Sequence, residues 1–270
     1  GTIQWQRRLG PSTNNPFSVE GGSVDSSGNS YIVGSSSSNR GIIAKYNSSG
    51  TIQWQRSFYY NAGGASTNFK KSMTVDSSGN TYVGINWTYF DSQYRNIVKY
   101  NSSGTVEWQI QLSTTSGNPV IHGNMTTDSS GNLYVTFGEI SDVPFFIKFN
   151  SSGNIIFMRK ISFDNASSGN GGPIFISNAG DIYFVVRTSV HGTNQNRLEL
   201  LKVPGDGSKT GSWTIDGRSY TYSAKTGVSV STSSLTDAAG IYTDNNSSLS
   251  TSTPTLTESS TSLATGFTLI

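Results

Sequence analysis

The sequence predicts an all-β protein, a β-propeller built from about four tandem four-stranded blades. Three observations predict it: a repeat near fifty residues long, turn motifs at fixed places within it, and one large aromatic residue per copy. The first landmark is a strand ending in Trp, as Gly1-Thr2-Ile3-Gln4-Trp5-Gln6, Gly50-Thr51-Ile52-Gln53-Trp54-Gln55 and Gly104-Thr105-Val106-Glu107-Trp108-Gln109, with a degenerate copy at Gly153–Phe157. The second is Asp-Ser-Ser-Gly-Asn followed by Tyr, starting at Asp25, Asp76 and Asp128 and degenerating to Ser177–Asp181. The third is Lys-aromatic-Asn-Ser-Ser-Gly at Lys45–Gly50, Lys99–Gly104 and Lys148–Gly153, degenerating to Lys202–Gly207. Gly28, Gly79, Gly131 and Gly180 lie 51, 52 and 49 residues apart, so the copies keep register.

Each copy reads as four strands. Val24-Asp25 and Tyr31-Ile32-Val33 flank a Ser-Ser-Gly-Asn turn. Gly and Asn suit it because both tolerate positive φ, and an Asp at its head can accept the turn's backbone amides. Gly28, Gly79 and Gly131 are therefore expected in the left-handed region. Ile42–Tyr46 then leads through Asn47-Ser48-Ser49-Gly50 into Thr51–Gln55, a second hairpin with alternating faces. The remaining strand is the stretch just before each Asp. A blade cannot cover both its own apolar faces, so neighbours must stack. Trp5, Trp54 and Trp108 are expected at equivalent, mostly buried positions between blades. A linear β-solenoid is the competing architecture, although its coils are usually shorter than this repeat. The copies are placed at about 1–50, 51–104, 105–153 and 154–207.

Beyond residue 207 the pattern changes. Residues 208–228 hold Ser212-Trp213-Thr214-Ile215 and Ser219-Tyr220-Thr221-Tyr222-Ser223, an extra blade or a capping hairpin. Residues 229–270 are rich in Ser and Thr, with one apolar residue every seven positions: Leu235, Tyr242, Leu249, Leu256, Leu263 and Ile270. A coiled coil needs two apolar positions per heptad and good helix formers, and Pro254 also opposes a helix. The tail is read as an extended strap whose leucines dock on a repeated acceptor. That acceptor is either the propeller itself or a neighbouring subunit; a neighbour is favoured, because symmetric copies of the chain would supply one and give a homo-oligomer through the tail.

Composition narrows the function. Charged residues are 13% and hydrophobic residues 33%, both low, but aromatics at 11% argue for order rather than disorder. A net charge of +2, with basic residues adjacent only at Arg7-Arg8, Lys70-Lys71 and Arg159-Lys160, argues against a nucleic-acid partner, which needs clustered cations. The chain has no cysteine, and no apolar run approaches the ~20 residues that span a bilayer. It opens on Gly1 rather than Met and is read as a processed product or a fragment.

The string Asp-Ser-Ser-Gly-Asn-x-Tyr-Val, then Ile-x-Lys-Tyr-Asn-Ser-Ser-Gly-Thr-Ile-x-Trp, resembles the SBBP-type repeat of bacterial and phage proteins, named for seven-bladed β-propellers. The resemblance covers residues 1 to about 207. It implies a propeller in an extracellular or virion setting and no single activity. Four copies are fewer than seven, so either blades lie outside this stretch or the C-terminal region completes a smaller ring.

Candidate chemistry is sparse. Each Asp-Ser-Ser-Gly-Asn loop brings one carboxylate, where a calcium loop brings several, so the Asp residues are read as turn stabilisers. His122 and His191 sit in different copies without companion ligands, and no metal or cofactor is expected. No Gly-x-Ser-x-Gly elbow occurs. Glu20, Asp91, Glu139, Asp142 and Asp164 are scattered rather than paired, so no catalytic residues are assigned. Asn47, Asn86, Asn101, Asn124, Asn150, Asn165, Asn245 and Asn246 head glycosylation sequons, three of which are the repeated hairpin turn. Trp87, Tyr89, Phe90 and Tyr94 cluster in the second copy where the others have small or polar residues; they either cover the blade edge as local core or form the candidate ligand-binding group.

The expected function is that of a structural and adhesive virion protein of a bacteriophage fibre, tail or capsid-surface appendage. It would bind host-surface glycan or protein alongside other assembly subunits. A secreted or cell-surface bacterial adhesin is the alternative, and a propeller glycosidase the third reading.

Overall fold

The structure, a computed structural model, describes residues 4–5, 17–36, 41–59, 66–89, 92–114, 120–138, 144–164, 166–190, 196–215, 217–232 and 236–239. Among these residues every regular element is a β-strand, and the strands form four antiparallel sheets. The first sheet is built on β1 (Phe17–Val24), β2 (Ser30–Ser36), β3 (Gly41–Tyr46) and β4 (Ile52–Tyr59). The second is built on β5 (Ser66–Val75), β6 (Thr81–Tyr89), β7 (Ser92–Tyr100) and β8 (Val106–Thr114). The third is built on β9 (Val120–Thr127), β10 (Leu133–Gly138), β11 (Phe145–Phe149) and β12 (Ile155–Phe163). The fourth contains only β13 (Ala166–Ile176), β14 (Ile182–Val190) and β15 (Asn196–Val203).

The two turn motifs set these meanders. Asp76 Oδ1 accepts the amides of Ser78 and Asn80 at 2.9 Å each, and Gly79 turns the chain at φ 77°. Gly28 and Gly131 do the same at φ 77° and 73°, as the turn chemistry predicts. In the second hairpin Asn101 Oδ1 accepts from Ser103 and Thr105, and Gly104 takes φ 78°. This second turn joins the third and fourth strands of one sheet. A cut at Gly50 or Gly104 therefore falls inside a sheet, and each Trp-bearing strand belongs with the sheet before it.

The sheets pack face to face in chain order. Val33, Ile43 and Phe58 of the first meet Val83, Ile85, Val98 and Tyr100 of the second. Tyr82, Ile97 and Leu112 meet Leu133, Val135, Phe145 and Ile147 of the third. Tyr134, Phe146 and Ile161 meet Ile174, Ile182, Phe184 and Val186 of the fourth. The sheets approach each other chiefly along their first strands, β1 against β5, β5 against β9 and β9 against β13.

After the fourth sheet the chain runs back the way it came. β16 (Gly211–Ile215) and β17 (Arg218–Ala224) form a hairpin, and β17 pairs with β12 at the outer edge of the third sheet. Next β18 (Val228–Thr232) pairs with β8, and β19 (Thr236–Ala239) pairs with β4. Residues 208–228 are therefore not a blade of their own. From β17 onward each strand is one stitch of a strap that visits the third, second and first sheets in turn.

The strap advances by about one heptad per sheet. The residue two after each landmark aromatic marks the same point on each outer strand, and Arg159, Ile110 and Arg56 face Ala224, Thr232 and Ala239. Those partners are 8 and 7 residues apart, so one sheet consumes about one heptad. Val228, seven before Leu235, packs against the core between the second and third sheets. For residues 228–232 and 236–239 the acceptor is the chain's own sheets. Leu235, Tyr242, Leu249, Leu256, Leu263 and Ile270 lie outside the described residues.

Candidate functional site

The best-defined polar geometry lies at the seams between sheets, where the repeat landmarks meet. Trp54 and Trp108 each reach from their own sheet to the Asn-Ser-Ser-Gly hairpin of the next, and Trp5, in no described strand, seats on that of the first sheet. Trp5, Trp54 and Trp108 donate Nε1–H to the carbonyls of Ser48, Ser102 and Ser151 at 2.9, 3.0 and 3.0 Å. The ring lies flat against the hairpin glycine, and a Cβ on Gly104 would stand 2.6 Å from Trp54 Cδ2. The indoles are equivalent and mostly buried, as expected, with Trp54 and Trp108 packed against the cores between sheets. Phe157 keeps the packing against Gly207 without an N–H to donate, and Arg159 donates to the Gly207 carbonyl as Arg56 does to that of Gly104.

Behind each Trp lies a second layer. Lys45, Lys99 and Lys148 stand 5.2, 5.5 and 4.9 Å from the ring centres of Tyr31, Tyr82 and Tyr134. Lys45 and Lys99 also donate across the seam to the Ser102 and Ser151 carbonyls, at 3.3 and 3.1 Å. The tyrosine hydroxyls donate to Asp25, Asp76 and Asp128 at 3.0, 3.2 and 3.0 Å. Burial first, and the neighbouring carboxylate second, push all three phenols well above their ordinary range. Burial also pushes the Asp25 and Asp128 carboxyls up, but hydrogen bonds from Asn29 and Asn132 and from the turn amides outweigh it, leaving both below the usual carboxylate range. These carboxylates are filled by their own turns, so their chemistry is structural.

The aromatic group of the second copy sits elsewhere. Trp87 and Tyr89 fall at the end of β6 and Tyr94 on β7, and the register sets Trp87 opposite Tyr94 and Tyr89 opposite Ser92. Phe90 lies outside the described residues. Just inside this hairpin end, Asn86 exchanges two hydrogen bonds with the backbone of Ile121 on β9, at 2.7 and 2.9 Å. Buried Arg95, opposite Asn86, has its pKa lowered to about 10 by desolvation. The hairpin base is thus fixed to the third sheet.

The two scattered acids among the described residues have separate partners. Glu20 accepts from Ser35, Asp164 accepts the Ser219 amide at 2.8 Å, and Asp91, Glu139 and Asp142 lie outside the described residues. His122 is on β9, and His191 is outside the described residues. Among the described residues no three His, Cys, Asp or Glu side chains gather as metal ligands. No described helix is long and apolar enough to cross a membrane. Sequence reasoning missed one cluster, in which Tyr220 donates to Glu199 at 2.7 Å and Arg218 lies 3.8 Å from the same carboxylate, tying β17 to β15. Its only sequence signal is three unremarkable polar residues. In comparisons with known proteins the chain matches no family model, and no curated protein is similar to it.

Proposed function

We propose that this chain is a β-propeller-type structural and attachment protein of a bacteriophage virion, part of a fibre, tail or capsid-surface appendage, and that it works without catalysis. The observation that carries the attachment role is the end of the β6–β7 hairpin. There Trp87 stands opposite Tyr94 on a base fixed to the neighbouring sheet by Asn86. Aromatic rings stack on the apolar faces of sugars and anchor protein contacts, and a rigid base keeps the ordering cost of binding low. The propeller reading is supported by sheets that approach one another chiefly at their first strands, as blades do around an axis.

Two experiments test it. Mass spectrometry of purified virions finds the chain as a component; recovery only from culture supernatant or cell surface would favour the bacterial adhesin. A glycan array, with pull-down from host envelopes, measures binding by the full chain and by Trp87→Ala/Tyr94→Ala. The variant loses at least tenfold in affinity at an unchanged melting temperature, and equal binding by both would remove the hairpin from the attachment role.

A further inference from the structure

The fourth sheet lacks the strand that every other sheet has. In the first three sheets the third strand pairs with a Trp- or Phe-bearing fourth strand. The fourth sheet ends at β15, and among the described residues no strand lies on its outer edge. Its outer face is open as well. Leu198 and Leu200 are 77% and 65% exposed, and Phe175 is 53% exposed. The residues matching Leu200, two before the landmark Lys, are Ile43, Ile97 and Phe146, each fully buried against the following sheet. An unpaired edge beside a bare apolar face is a template for another strand and sheet.

We propose that this edge takes the N-terminal segment Gly1-Thr2-Ile3-Gln4-Trp5-Gln6 of a second copy of the chain as its fourth strand, joining copies head to tail. The segment has the fourth-strand sequence, matching Gly50–Gln55 at every position. Its Trp5 already sits as a fourth-strand Trp does, on the hairpin of the sheet that follows, with Nε1 on the Ser48 carbonyl and the ring stacked on Tyr46. Within one copy Trp5 already holds that seat, and among the described residues no strand pairs with the outer edge of β15; the strand that closes β15 in this proposal comes from a second molecule. The first sheet offers the matching face, with Val19 and Val24 71% and 66% exposed. Such a contact is heterologous, closing a ring or extending a filament according to its rotation. It holds whether or not the aromatic hairpin binds a glycan.

The repeat fixes the register. Arg56 faces Ile43, Ile110 faces Ile97 and Arg159 faces Phe146, so Arg7 faces Leu200 of the neighbouring copy. The chain has no cysteine to interfere. Arg7→Cys and Leu200→Cys chains, mixed and oxidised, form a disulfide-linked mixed dimer on a non-reducing gel, and Arg7→Cys with Ser208→Cys does not. In light scattering the mass of the unmodified chain rises with concentration, whereas chains lacking residues 1–7 stay monomeric. No mixed dimer above the Ser208 control, or an unmodified chain monomeric at every concentration, overturns the proposal. So does an Arg7→Cys/Leu200→Cys chain that links only to itself.

Discussion

The seam is made residue by residue, and its tightest contact is a flat indole on a glycine. Gly104 meets two demands at once, a φ of 78° and no side chain under Trp54. Gly104→Ala meets neither, and a strained backbone plus a forced ring shift costs roughly 2–4 kcal/mol. Trp54→Ala removes a mostly buried ring and its hydrogen bond to Ser102, for roughly 2–4 kcal/mol. Because the two residues form one contact, the double variant loses less than the sum, and denaturant unfolding of all three measures the shortfall. Additive losses would show that Trp54 and Gly104 act separately.

The tyrosines at the same seams predict a pH profile. A phenol held neutral in the fold resists ionisation while its unfolded counterpart titrates near pH 10. The stability due to Tyr31, Tyr82 and Tyr134 is therefore complete below about pH 10 and falls as pH rises beyond it. For Asp25 and Asp128, whose pKa values are lowered in the fold, the contribution is present above about pH 4 and lost as pH falls. Unfolding free energy is thus nearly flat in between, and a Tyr31→Phe/Tyr82→Phe/Tyr134→Phe chain loses less of its stability above pH 10. An equal alkaline loss in that variant would place the pH sensitivity elsewhere.

At the scale of elements, the sequence discloses what is local and hides what is not. Both hairpins of each sheet are legible because Asp, Asn and Gly bond or turn their own neighbourhood. The strap was legible as a period but not as a structure. Its strands are short, and β18 and β19 find their partners on strand edges over a hundred residues away, as with Ser229 opposite Ser113. The missing strand of the fourth sheet has a subtler signal. Trp54, Trp108 and Phe157 each follow their hairpin glycine by four residues, whereas Trp213 follows Gly207 by six. That offset goes with a segment that joins the third sheet through β17. The aromatic hairpin was legible as a cluster, and its attachment through Asn86 was not. The strap itself is testable. Val230→Pro removes an amide from β18 and clashes with pairing. Hydrogen exchange then speeds up in β8 around Leu112, its partner, while β6 keeps its protection. Unchanged exchange in β8 would mean that β18 does not protect it.

On the scale of the whole molecule, four sheets share seams of one design, and the chain returns across them. Each seam buries its own apolar core between neighbouring sheets. The strap adds an outer strand to three sheets in succession, so opening any of these seams also peels strand pairing.

The account stands on the returning strap being part of the same chain as the sheets it laces. Ser113 and Ser229 face each other across β8 and β18, with their hydroxyls 2.8 Å apart. Ser113→Cys/Ser229→Cys in this cysteine-free chain should oxidise to an intrachain disulfide, seen as a faster-migrating monomer on a non-reducing gel and a single linked peptide by mass spectrometry. A disulfide that forms only between chains, or none under oxidising conditions, would contradict it.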